Sequence, residues 1–309
     1  MKGSGKINRR FFTRSLAVAG IGSVALPVMG NFTKSGNTSI GQKAGDGLKI
    51  SLNAFSFDKP LKAGTLTISG MLDYCARVGF EGVDLTGYYL PGYPAVPSDE
   101  FIYEVKKKAF KLGMGISGTG VKNDFTWSDP AKREVEKKLV KDWIIVAEKL
   151  GAPIVRIFAG TLSKENFTWD QRVKWIADDI NECAEFGKSH GVMLALQNHN
   201  DFLKTSSDVE KIFQLIDTKW VGLLLDIGSF HTPDPYADVA KNAKYAISWQ
   251  LKEKVFVNDT QVDTDYTKII DIVRKSGYRG YLPLETLGEG DPVTKIEALF
   301  KKVQSVINS

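Results

Sequence analysis

From residue 48 onward the chain repeats one pattern: a short apolar run, a polar loop, then a stretch whose apolar residues recur at helical spacing. Eight runs stand out: KISLNAF (49–55), GVDLTG (82–87), MGISGTG (114–120), IVRIFAG (154–160), VMLALQN (192–198), VGLLLDI (221–227), AISWQLK (246–252) and YLPLET (281–286). Between them lie EFIYEVKKKAFKLG, REVEKKLVKDWIIVAEKLG, VKWIADDINECAEFGKSHG and YTKIIDIVRKSG. In several of these, apolar positions fall at i, i+3, i+4 and i+7, and a Gly closes the pattern before the next run. Near-continuous apolar strands alternating with amphipathic helices predict a parallel sheet covered by helices.

Eight such units in about 260 residues have the size of a (β/α)8 barrel. A doubly wound open sheet is the competing arrangement. Against it, no Gly-rich phosphate loop follows the first run, where NAFSFDKP stands instead. The predicted fold is therefore α/β, a single (β/α)8 TIM barrel over residues 48–309. Chemistry in this fold collects at the C-terminal ends of the strands, so the residues closing each apolar run belong together.

Composition changes that picture little until the charge is located. Hydrophobic content of 43% and charged content of 25% are those of an ordinary globular protein. Lys2, Lys6, Arg9, Arg10 and Arg14 face no acid within residues 1–30, and these five account for the whole formal excess of +5. No basic run interleaved with aromatics occurs elsewhere, which argues against a nucleic-acid partner. NRRFFTRS followed by LAVAGIGSVALPVMG has the three-part form of an export signal, and Arg9-Arg10-Phe11-Phe12 resembles a twin-arginine signal. Residues 1–30 are thus predicted as an export leader and 31–47 as a polar disordered linker, giving a periplasmic mature protein. The apolar run is shorter than the roughly 20 residues a membrane span needs, so no span is expected in the mature protein. Cys75 and Cys183 both sit inside helical patterns and read as buried free thiols.

The strand ends carry the chemistry. The fifth run closes on Gln197 and His199, the sixth on Asp226, the seventh on Gln250 and Lys252, and the eighth on Glu285. Alternation along a strand puts Gln197 with His199, and Gln250 with Lys252, on one face. Two carboxylates brought together in an apolar barrel mouth need a compensating cation or proton. A divalent metal satisfies that need, and two carboxylate and two amide oxygens form a hard donor set. Lys252 reads equally as an ion pair with Glu253 or Asp226, and His199 as a strand-end histidine bonded to a loop. Arg156 on the fourth run is predicted to face inward, toward a substrate oxygen or a buried acid. Asn53 and the aromatic loops GYYLPGYP and KNDFTW are candidates for a substrate-binding wall. His190 and His231 read as helix-end and loop residues.

LALQNH, GLLLDIGSF, ISWQLKE and GYLPLE resemble the strand-end motifs of the xylose-isomerase-like barrel superfamily of sugar isomerases and epimerases. The resemblance covers almost all of residues 48–309. It implies one divalent metal, Mn²⁺, Mg²⁺ or Co²⁺, held by Glu, Asp, His and Glu at the ends of strands five to eight. Here those positions are Gln197, Asp226, Gln250 and Glu285. It also implies a sugar or keto-sugar substrate and proton abstraction next to its carbonyl. An amide cannot act as a general base, so Gln197 argues against a symmetrical two-glutamate epimerisation and leaves the second proton to another group. The catalytic burden then falls on Glu285, His199 and Lys252. The outcomes left are isomerisation, epimerisation with another group carrying the second proton, or the elimination run by a 3-keto-glycoside lyase. A sugar-binding barrel without chemistry is the non-enzymatic alternative, and a homo-oligomer is allowed. A DNA-repair endonuclease of the same superfamily would need a His-rich metal cluster, which three histidines cannot supply.

Overall fold

The computed structural model describes residues 47–162, 166–199 and 201–309. The expected leader and most of the linker lie outside the described residues. Eight parallel strands close a barrel: β1 (Lys49–Asn53), β2 (Gly82–Thr86), β3 (Gly115–Gly120), β4 (Ile154–Ile157), β5 (Met193–Gln197), β6 (Val221–Asp226), β8 (Ala246–Lys252) and β11 (Tyr281–Glu285). β1 pairs with both β2 and β11, which closes the ring. Each of the eight apolar runs supplies one strand.

Helices α2 (Ile68–Val78), α3 (Asp99–Lys111), α4 (Pro130–Leu150), α5 (Trp169–Ser189), α6 (Ser206–Phe213), α7 (Pro235–Asn242) and α8 (Tyr266–Lys275) connect successive barrel strands, and α9 (Pro292–Asn308) follows the last. A one-turn helix, α1 (Asp58–Lys62), follows β1. Their starts are written in side chains: Thr168 and Thr205 each make a capping box with the residue three positions on. α4 ends at Gly151, whose φ of 78° is the left-handed conformation that the last carbonyls need for capping. Cys75 and Cys183 are buried on the helices and unpaired, and burial pushes both thiols up to about 12.

A second, three-stranded sheet was not foreseen. β7 (His231–Thr232), β9 (Lys254–Val257) and β10 (Thr260–Asp263) lie on the C-terminal side of β6 and β8. Asn258 and Asp259 both take positive φ between β9 and β10, the conformation of a tight hairpin turn. His231 stacks on Phe256 at 3.8 Å, and His190 pairs with Glu148 at the end of α5, so neither approaches the strand-end cluster.

The inside of the barrel is layered. At its N-terminal end the Tyr281 side chain fills the space that Gly82 and Gly115 leave; a Cβ on Gly82 would lie 2.7 Å from its ring, and one on Gly115 2.2 Å from its hydroxyl. Above this, Ile154, Ala195 and Leu224 form a small apolar floor under half of the mouth. Two residues further along the same strands, and hence on the same face, stand Arg156, Gln197 and Asp226. Among the described residues no helix is long and apolar enough to cross a membrane.

Candidate active site

At the C-terminal mouth lies a cleft of about 120 Å³ lined by Asn53, Thr86, Arg156, Gln197, His199, Gln250, Lys252 and Glu285, with Phe55, Tyr88, Phe158 and Leu287 as apolar walls. Among the described lining residues Glu285 is the one acid. Asp226 is fully buried directly beneath it. All eight residues expected at the site therefore meet at one place.

Their contacts are specific. Lys252 Nζ donates to Asp226 Oδ2 at 2.7 Å and to Glu285 Oε2 at 3.2 Å. Gln197 Nε2 donates to the same Asp226 oxygen at 2.8 Å, and Gln250 Nε2 to Glu285 Oε2 at 2.5 Å. The other Asp226 oxygen accepts the Gly228 amide at 2.9 Å. Asn198 clamps the Asp226 backbone from both sides, accepting its N–H at 2.8 Å and donating to its carbonyl at 2.9 Å. The ends of β5 and β6 are thus bolted together by a residue that sequence reading passed over. Burial by itself would push the Lys252 ammonium down, but the two carboxylates beside it outweigh that and hold it above the ordinary lysine range.

On the other wall, His199 is half-exposed, with its ring edge-on to Phe158 at 5.2 Å and its Nδ1 2.7 Å from Asp201 Oδ2. A carboxylate only accepts, so Nδ1 carries the hydrogen and the Nε2 lone pair is left for the cleft. Arg156 donates to the Val121 carbonyl at 2.5 Å and lies over the Phe158 ring at 4.2 Å, which fixes its guanidinium at the rim. The aromatic wall differs from expectation. Tyr88 comes from the loop after β2, but Phe55 and Phe158 follow β1 and β4, and KNDFTW contributes none of the lining. Asn123 in that loop instead pins the Phe158 backbone through both its amide atoms.

Asn53 lines the cleft but is already committed. Its Nδ2 donates to Asp84 at 3.0 Å, and its Oδ1 accepts from the Phe55 amide and the Thr86 hydroxyl. It is therefore a strut more than a free substrate contact. Asp84, an inward acid in the middle of GVDLTG, carried a legible signal as a lone carboxylate within an apolar run. Burial lifts its carboxyl to about 6, aided by Glu285 and opposed by Arg156 and the Asn53 hydrogen bond. The folded state thus holds this proton more tightly than the unfolded chain, where the carboxyl titrates near 3.8. Ionised Asp84 weakens the fold above about pH 6, and the penalty fades as pH falls toward 4. Asp84→Asn is expected to raise unfolding free energy by on the order of 1–3 kcal/mol at about pH 8 and hardly at all at about pH 4, read by urea denaturation at both. A gain equal at the two values would refute the assignment.

The profile of the xylose-isomerase-like TIM barrel family matches residues 72–306. The chain belongs to this family. Inosose dehydratase of Mesomycoplasma hyopneumoniae strain J is 23% identical over 187 residues, which is 56% of this chain and 57% of that enzyme. The match therefore spans little more than half of that relative's length. Among solved structures, D-psicose 3-epimerase from Clostridium cellulolyticum H10, crystallised with D-tagatose, superposes with a TM-score of 0.68 at 16% identity, covering 84% of this chain and 99% of that one. A xylose-isomerase-like TIM barrel protein from Mycobacterium smegmatis in complex with magnesium gives 0.61 at 19% identity, covering 84% and 98%. At these identities the structural likeness establishes the fold.

The residues at the mouth do not fit a divalent ion while Lys252 holds its place. Both amides present N–H groups to the carboxylates, whereas metal ligation uses the amide oxygen. A dication ligated by Asp226 and Glu285 would compete with Nζ for the same carboxylate oxygens and be repelled by the ammonium beside them. Among the described residues no group of three or more His, Cys, Asp or Glu side chains is arranged to hold a metal. The expectation of a metal on Gln197, Asp226, Gln250 and Glu285 thus meets an ammonium already seated between its two carboxylates.

Proposed function

We propose that the barrel mouth is a sugar isomerase/epimerase-like active site that moves a proton next to the carbonyl of a sugar or keto-sugar. One observation carries the reading: an oriented base, His199 backed by Asp201, and a fixed cationic donor, Lys252 backed by Asp226 and Glu285, line the same small cleft. His199 Nε2 takes the proton from the carbon beside the carbonyl, the C–H electron pair forms the new carbon–carbon double bond, and the carbonyl π pair moves onto the oxygen. Lys252 has three N–H donors and spends two on carboxylates, so the third stabilises the developing enolate oxygen. Arg156 binds a further substrate oxygen, and the Phe55, Tyr88 and Phe158 rings cover the apolar face of the sugar. In an isomerisation the imidazolium returns its proton to the former carbonyl carbon while the adjacent hydroxyl passes its proton to the enolate oxygen and becomes the new carbonyl; in an elimination the enolate re-forms the carbonyl as the β C–O bond breaks, and the leaving oxygen takes the imidazolium proton.

The dehydratase relative favours the second outcome, and Gln197 weighs only against a two-base epimerisation. A two-base epimerisation needs a second ionisable group across the substrate, a role that the Gln197 amide cannot fill. Elimination from a 3-keto-glycoside needs a single base, and the named dehydratase relative is consistent with that chemistry. The leader proposed for residues 1–30 would bring the enzyme to free sugars and glycoside fragments in the periplasm.

The test is to incubate the protein, both chelator-treated and supplied with Mn²⁺, Mg²⁺ or Co²⁺, with a panel of keto-sugars and keto-glycosides in D₂O. Deuterium entering the carbon next to the carbonyl, or release of an aglycone, is expected for at least one member. Complete inertness across the panel, with folded protein confirmed, would sink the catalytic reading in favour of a binding barrel.

A further inference from the structure

The structure assigns the cation of this site to the protein itself: the Lys252 ammonium occupies the position between Asp226 and Glu285 and makes the site independent of divalent metal. This deepens the proposed function by naming what polarises the carbonyl, and rests on it for that catalytic part.

Three independent features hold the ammonium there. Its stem runs past Gly228, where an added Cβ would lie 2.8 Å from Lys252 Cδ and 3.1 Å from the Lys254 carbonyl. Gly228 does not take a left-handed φ, so what the site requires of it is space. The Lys252 carbonyl accepts from the Thr264 and Tyr266 hydroxyls at 2.8 and 3.0 Å, which anchors the end of β8. The two glutamines complete the arrangement, since each turns its amide N–H toward a carboxylate that also receives Lys252. Gln197, Gln250 and Gly228 thus each match a resident ammonium, and two carboxylates around one such group leave a single net negative charge facing the cleft.

The experiment reads metal binding directly on the full-length folded protein, stripped with EDTA and titrated with Mn²⁺ by calorimetry and electron paramagnetic resonance. Wild type is expected to take up no stoichiometric Mn²⁺, and its melting temperature is expected to be the same with and without the ion. One bound Mn²⁺ per chain with a raised melting temperature would overturn the proposal. Lys252→Ala vacates the position and is expected to gain one Mn²⁺ site. If that variant unfolds, Mn²⁺ is expected to restore its fold. A Lys252→Ala protein that ignores Mn²⁺, whether folded or not, would show that the ammonium does not occupy a cation site. No turnover enters these measurements, so a protein inert toward every sugar leaves this inference standing. A wild type that binds Mn²⁺ defeats it without touching the proton-transfer reading.

Discussion

Lys252→Met is expected to lower turnover by about 10²–10³-fold and to destabilise the fold by about 3–5 kcal/mol, measured by urea unfolding near neutral pH. Methionine keeps much of the stem's length but removes the charge. Asp226 is fully buried, and its remaining partners are the neutral Gln197 and Gly228 N–H groups. A buried carboxylate stripped of its cation costs far more than the pair contributes when whole, because desolvation is then uncompensated. The double variant Lys252→Met/Asp226→Asn is therefore expected to recover much of the lost stability while staying inactive. The pH dependence has a definite sign. Lys252 is held above the ordinary lysine value, so its stabilisation is fully present below about pH 10.4 and fades only as pH rises further, through its folded value. The wild-type advantage over Lys252→Met should accordingly stay level across neutral pH and narrow only at the alkaline end. A variant as stable as wild type at pH 7 would mean the lysine is not the site's counter-charge.

The barrel was legible because each strand is buried on both faces, which makes all eight apolar runs stand out from the amphipathic helices between them. Strand ends follow from strand positions, so Gln197, Asp226, Gln250 and Glu285 could be gathered from four separate motifs. The inward face of Arg156 followed from alternation alone. What the sequence left open was the partner of Lys252: Glu253 and Asp226 were both within reach along the chain, and Glu285 joins only because β11 pairs with β8 and sets Glu285 opposite Lys252. The identity of the cation was hidden for the same reason. In the motif set that the sequence resembles, three carboxylates and a histidine surround a dication. Two carboxylates, two amides and an ammonium give the same residual charge, and nothing local in LALQNH or ISWQLKE distinguishes a vacant ligand set from a filled one. The β9–β10 hairpin had a readable signal in VFVNDTQV, with Asn258-Asp259 at the turn. It was overshadowed by the stronger helical pattern that follows.

His199 carries the other large effect. Replacing it with glycine is expected to lower kcat by about 10²–10⁴-fold with little change in KM, because the imidazole acts on the proton in flight and contributes little to ground-state binding. Added imidazole should restore part of the activity, since removing the ring opens space at the half-exposed rim. Asp201→Asn should cost less, about 10–10³-fold, as the amide no longer requires Nδ1 to carry the hydrogen and the Nε2 lone pair is not reserved for the cleft. Glu285 is the competing base, and the same measurement separates the two. Its Oε2 is engaged by both Lys252 and Gln250, so its charge is largely spent on holding the ammonium. Glu285→Gln should therefore lose stability together with activity, and imidazole should do nothing for it. Rescue of the glycine variant by imidazole, with solvent deuterium again entering the substrate, identifies His199 as the proton carrier. Undiminished exchange without its side chain would transfer that role to Glu285.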